Sequence, residues 1–323
     1  MTPVTPLAGR VARLLGAGEE QVSGVRPVGG GDICDAWHLT LRRPVPVPGP
    51  DSKPGSGSGS GQGELGGVTE VFAKTLAPAP AGFFAAESAG LALLGGTGTV
   101  AVPRVLAAED DVLVLEWIEP GAPTAAQAEL LGRELAALHD SPAGSYGTPG
   151  RPAYLGPLPL PSPAEPVADP AGWPAFHAEY RLLPFLRRAV DAGGIGGADA
   201  GAVERLCEEI GTVAGPPQPP AVIHGDLWSG NVHWTGGGSG DGRARLIDPA
   251  AQGGHPETDL ALLELFGCPQ LSRILAAYEE VRPVPERAER VPLHQLQHLL
   301  VHAALFGSGY GAQCGAAARA ALG

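Results

Sequence analysis

"AVIHGDLWSGNVHW", residues 221–234, puts a His, an Asp and an Asn into one short run behind an apolar lead-in. Asp226 and Asn231 stand five positions apart with Leu227 directly after the Asp, and a second Asp, Asp248, closes a later apolar run in "RLIDPA". This is the D-L-x-x-x-N spacing of a phosphoryl-transfer loop. There the Asp accepts the proton of the attacking hydroxyl, while the Asn and a second Asp hold Mg²⁺. The ordinary alternative is a pair of Asx turns flanking a strand. The upstream sequence separates the two.

Val25 and Val28 precede Gly29-Gly30-Gly31, and Ile33, Ala36, Trp37 and Leu39 follow, which reads as strand, glycine turn, strand. A glycine turn lets backbone amides approach phosphates. A strand follows the turn, whereas a dinucleotide-binding fold needs a helix there, and no G-x-x-x-x-G-K-[ST] run occurs. Of 21 basic residues only Lys53 and Lys74 are lysines. Lys53 falls in a low-complexity linker, but Lys74 sits in "VTEVFAKTL", an alternating strand, where an ammonium serves as a point charge for phosphates. "AGFFAAESAGLALLGG" then reads as a helix carrying Glu87, suited to hold that lysine. Glycine turn, strand Lys, helix Glu, Asp, Asn, Asp is the order of a kinase-like site.

The layout agrees. A helix over 7–17, several strands and the Glu87 helix fill the first part, ending with "VAVPRVLAAEDDVLVLEWIEP" as two more strands. After Pro123 the chain turns helical, starting at a Thr124 cap. "WPAFHAEYRLLPFLRRAVDAG" reads as one amphipathic helix and "TGGGSGDGRA" as a hairpin turn. The expected fold is α+β: bilobal and protein-kinase-like, with an antiparallel N-lobe sheet and one main helix over 1–118. A mostly helical C-lobe follows over 119–323, and a Gly/Ser-rich insert covers about 44–67. A ligand crevice is expected at "LEWIEPGAP".

At 323 residues the chain can bury a large core, and its 49 Gly and 34 Pro are more than average usage. A net charge of -13 argues against nucleic-acid binding and against anionic membrane surfaces. No apolar run reaches the roughly 18 residues a span requires, and the N-terminus lacks a signal-peptide pattern. A cytoplasmic protein is expected, as a monomer or homodimer. Cys34, Cys207, Cys268 and Cys314 are scattered, which suits neither a zinc site nor a disulfide framework. His294, His298 and His302 share one helix face, which reads as a packed face rather than a metal site.

"HGDLWSGN", "IDPA", "HPETDLALLELFG" and "RLLPFL" resemble the fructosamine (ketosamine) kinases, relatives of the aminoglycoside phosphotransferases. "GGGDICDAW", "FAK", "AESAGLALL", "LVLEWI" and "LHQLQHLLVHAALFGSGY" extend the resemblance over nearly the whole chain. Trp228-Ser229 is its specific element. The resemblance implies Asp226 as catalytic base, Asn231 and Asp248 as Mg²⁺ ligands, and Lys74 with Glu87 as the ion pair that positions ATP phosphates. It implies Gly29, Gly30 and Gly31 as their cover, and Glu116, Trp117 and Ile118 as the hinge whose backbone reads adenine. His224 and Trp228 are substrate-side candidates, with His224 also expected to orient the loop backbone. The family phosphorylates a sugar hydroxyl, typically O3, of a ketoamine, leading to deglycation. The alternatives are another aminoglycoside, sugar or choline-type phosphotransferase of this fold, or a nucleotide-binding pseudokinase.

Overall fold

The computed structural model describes residues 4–29, 33–42, 69–236 and 242–323. The chain forms two compact units, Met1–Ser88 with Pro103–Ile118, and Ala89–Val102 with Glu119–Gly323. Gly30, Gly31 and the Gly/Ser-rich insert lie outside the described residues.

The first unit holds α1 (Val4–Leu14), β1 (Val22–Pro27), β2 (Asp35–Leu41), β3 (Thr69–Thr75), the start of α2 (Phe83–Gly96), β4 (Val105–Glu109) and β5 (Val112–Glu116). The strands make one antiparallel sheet in the order β1-β2-β3-β5-β4. Strand alternation sorts β3 into two faces. Val71 and Ala73 are fully buried with Trp37, Leu39 and Val114 against Leu7, Val11 and Leu15 of the α1 segment. Lys74 points the other way, from a central position paired with Ala36 on β2 and Leu113 on β5. α1 starts earlier than the sequence suggests and ends at Leu14. Gly16 follows at φ 69, a left-handed conformation that closes helices.

The second unit is mainly helical: α3 (Ala125–His139), α4 (Trp173–His177), α5 (Leu183–Asp191), α6 (Gly197–Val213), α7 (Pro256–Leu265), α8 (Leu271–Val281), α9 (Arg287–Phe306) and α10 (Ser308–Leu322). Short strand pairs join them: β6 (Tyr154–Leu155) with β7 (Leu158–Pro159), β8 (Ala221–Ile223) with β11 (Gln252–Gly254), and β9 (Val232–His233) with β10 (Arg245–Leu246). Thr124 caps α3 in a reciprocal box, its hydroxyl accepting from Gln127 N at 3.2 Å while Gln127 Oε1 accepts from Thr124 N at 3.2 Å. The single helix expected from "WPAFHAEYRLLPFLRRAVDAG" is instead α4 and α5 with a wider π turn, Ala178–Leu182, between them. Pro184 in the first turn of α5 has no N–H to continue an α ladder.

Two cores fill this unit. In one, Leu293, Leu296 and Leu300 of α9 pack with Phe185, Leu206 and Trp173. In the other, Leu131 and Leu135 of α3 meet Ile274 and Tyr278 of α8, and Leu227 and Leu246 join them. Leu227 is fully buried, so the residue beside Asp226 anchors its loop in the core. No described helix is long and apolar enough to cross a membrane.

Candidate active site

In the first unit Lys74 Nζ donates to both carboxylate oxygens of Glu87, each at 2.9 Å, and both side chains are buried. Neither charge would be tolerable there alone. Strand alternation turns Lys74 to this face, and α2 places Glu87 opposite. Gly29 follows β1, where Val28 N donates to Ala36 O at 2.8 Å to tie the two strands at the turn. Glu116 ends β5 and accepts from Arg104 Nε at 2.7 Å. Trp117 stacks at a tilt on His38, 4.1 Å between centroids, and its N–H reaches Glu70 O at 3.4 Å. Ile118 closes the unit.

In the second unit the stretch 224–231 forms a tight loop between β8 and β9. A short 3₁₀ turn, Ser229–Asn231, shortens it enough for Asn231 Nδ2 to reach back to Asp226. That amide donates to Asp226 O at 2.7 Å and to Asp226 Oδ2 at 3.2 Å, leaving the Asn231 carbonyl oxygen for other partners. Gly225 turns the chain at φ 79, and a Cβ there would stand 2.4 Å from Ala250 O, so only glycine fits.

His224 is completely buried. Its Nδ1 accepts from Asp226 N at 3.2 Å and its Nε2 donates to Ile247 O at 2.9 Å. Burial pushes its pKa down, which suits this neutral, one-donor one-acceptor tautomer. With both ring nitrogens engaged inside the chain, His224 holds the loop and is closed to a substrate. Ile247 N in turn donates to Asn231 O at 3.1 Å. Asp248 therefore follows a residue bonded on both sides to the Asp226 loop. Its own backbone is left-handed, φ 54, which Asp tolerates better than most residues.

Sequence reading missed Asp259 and the part played by His298. Asp259, fully buried on α7, accepts from His224 N at 2.7 Å and from Gly225 N at 2.9 Å. It also accepts from His139 Nε2 at 3.2 Å, and His139 Nδ1 accepts from Tyr278. Burial alone would raise the Asp259 pKa, but the His139 hydrogen bond and the His224 contacts bring it below its usual value. The signal was an Asp inside the apolar run "TDLALLEL". His298 donates from Nε2 to Gly225 O at 3.1 Å and stands 3.7 Å from Asp226 Oδ1. Burial lowers its pKa to about 4, so it is a neutral donor at the base of the loop.

The three histidines of α9 have separate hydrogen-bond partners. His294 contacts Thr258 at 3.1 Å, His298 serves the loop, and His302 donates to the His298 carbonyl at 2.8 Å. His294 does lie near His255 and Glu257, with ligand atoms within 4.8 Å of one another. Arg290 already binds that carboxylate through Nε and one terminal nitrogen at 2.9–3.1 Å, balancing its charge without a metal.

Each unit thus holds its own set of hydrogen-bonded polar residues, the Lys74–Glu87 pair in one and the Asp226–Asn231 loop in the other. A family model described as Fructosamine kinase matches residues 56–322. A probable ketoamine kinase of Thermus thermophilus is 38% identical over 240 residues, covering 73% of this chain and 82% of that one. A rice protein named protein-ribulosamine 3-kinase, chloroplastic, is 29% identical over 249 residues, covering 74% of this chain and 68% of its own length. A crystal structure from Thermobifida fusca, provisionally named a fructosamine-3-kinase, superposes with a TM-score of 0.81 at 40% identity and 99% coverage of both chains. A macrolide 2'-phosphotransferase at TM-score 0.58 and 17% identity, 98% of both chains covered, shares the fold alone. With the match running nearly from the insert to the last helix, and with relatives of this identity along most of their length, the chain belongs to the fructosamine kinase family.

Proposed function

We propose that this chain transfers the γ-phosphate of ATP, with Mg²⁺, to a sugar hydroxyl of a ketoamine, at O3 as in the family. The observation that carries the reading is Asp226: its side chain is 24% exposed, braced by Asn231 and set on a loop that His224, Asp259 and His298 fix from below. A base must be accessible and held still, and this one is both.

Asp226 accepts the proton of the attacking hydroxyl as its oxygen bonds to the γ-phosphorus and the bond to the departing ADP oxygen breaks. Lys74, kept in place by Glu87, meets the α- and β-phosphates. Gly29, Gly30 and Gly31 cover the phosphates, and the backbone of Glu116, Trp117 and Ile118 reads adenine. The Asn231 carbonyl oxygen and the Asp248 carboxylate are hard oxygen donors, which suit Mg²⁺ and would hold it. When bound, that ion supplies neutralising charge at the phosphates. Trp228, partly exposed two residues after the base, contacts the sugar.

The test is ADP release with Mg-ATP and a synthetic fructosamine, for the wild type and Asp226→Asn. Turnover in the wild type should fall by at least about two orders of magnitude in the variant. ATP binding without turnover of the fructosamine in the wild type would sink the reading and favour a nucleotide-binding pseudoenzyme.

A further inference from the structure

Beyond the loop itself, the second unit carries a run of ring-to-ring contacts. Trp228 meets Phe266 edge-on, centroids 6.3 Å apart. Phe266 meets His302 at 4.9 Å, and His302 meets Phe306 at 5.4 Å and Tyr310 at 5.0 Å. Phe266 is 39% exposed and Phe306 53%, while Trp228, His302 and Tyr310 are partly exposed. A phenyl ring left in water forgoes burial energy, and contiguous apolar exposure of this kind marks a binding surface.

The strip is tied to the Asp226 loop at Trp228 and, through α9, at His302. Trp228 N donates to Asp226 O at 3.1 Å. His302 donates to the backbone carbonyl of His298, whose side-chain Nε2 stands 3.7 Å from Asp226 Oδ1. The strip therefore starts at Trp228, two residues from Asp226, and runs outward from there along α9 and α10.

We propose that Phe266, His302, Phe306 and Tyr310, continuing from the sugar-contacting Trp228, form the subsite for the amine-derived part of the ketoamine, and that it selects adducts of aromatic or bulky apolar amines. The inference rests on the ketoamine reading above. In a ketoamine the nitrogen substituent begins a few bonds from O3, so it leaves the sugar close to the phosphorylated oxygen. None of the five side chains carries a carboxylate or an ammonium, and their flat faces offer stacking to an aryl group. A cationic amine component would find no counter-charge among them.

The test compares the fructose adducts of benzylamine and methylamine as substrates for the wild type, Phe306→Ala, Phe266→Ala and Phe306→Leu. The wild type should favour the benzyl adduct about tenfold in kcat/KM, mainly through KM, as expected for binding that is equal in ground and transition states. Each alanine variant should erase most of that preference while the methyl adduct changes less than about twofold, and Phe306→Leu should retain part of it. Equal use of both adducts by the wild type, or parallel loss of both in the alanine variants, overturns the subsite. So does a change in sedimentation mass in Phe306→Ala with selectivity intact, which would make the strip a contact between copies. If neither adduct is phosphorylated by the wild type, the ketoamine reading itself fails and the subsite with it.

Discussion

Asp259 decides how firmly the loop over 224–231 is held. One carboxylate receives two consecutive backbone N–H groups, those of His224 and Gly225, and a histidine, all out of water. Asp259→Asn replaces an acceptor with an NH₂ facing donors. It should cost roughly 3 kcal/mol, the range for hydrogen bonds to a buried charge, and lower kcat well beyond any change in ATP affinity. Chemical denaturation with parallel kinetics checks it; an unchanged kcat in a folded variant would remove Asp259 from loop positioning. The contrast with Asp226 shows what a sequence reveals at this scale. Lys74, Glu87, Asp226, Asn231 and Asp248 stood out as candidates because phosphoryl transfer asks for those residue types in that order along the chain. Asp259 did not, because its role arises only when the start of α7 docks beneath a loop thirty-odd residues away in the chain.

Between elements, α3 packs closely on α8 in the second core. A Cβ at Gly132 would stand 2.2 Å from the backbone oxygen of Ile274. Helix propensity favours Ala over Gly by about 1 kcal/mol, so an isolated helix would gain from Gly132→Ala. Here the helices would have to separate, and the variant should lose about 2 kcal/mol net, the usual cost of overpacking. A higher Tm in the variant would show that the pair can part cheaply. Element positions were mostly readable: the β4–β5 pair and the Thr124 cap came from alternation and capping chemistry. The break between α4 and α5 was not, since hydrophobic spacing runs on unchanged through the π turn and only Pro184 hints at it. A glycine inside α3 likewise reveals nothing of Ile274 until the helices are packed.

Across the molecule, burial keeps a group of histidines uncharged. His177 and His255 are pushed down to about 3 and His298 to about 4, and His224 and His294 are also lowered. In the unfolded chain each takes up a proton near the ordinary value of 6.5. As pH falls below that value the unfolded state gains protons that the folded state refuses, so stability is full above it and falls toward pH 4. Each histidine kept neutral should remove about 1 kcal/mol between pH 7 and 5.5. The midpoint of urea unfolding should drop steeply over that interval; a flat profile would mean the cluster charges freely in the fold.

The left-handed backbone at Asp248 has an evolutionary corollary. Asn and Gly hold such a conformation most cheaply, and a single base change in an Asp codon reaches either. Both discard the carboxylate proposed for the metal while sparing the turn. The lineage thus stands one nucleotide from a descendant that keeps this backbone turn and lacks the proposed metal-holding carboxylate.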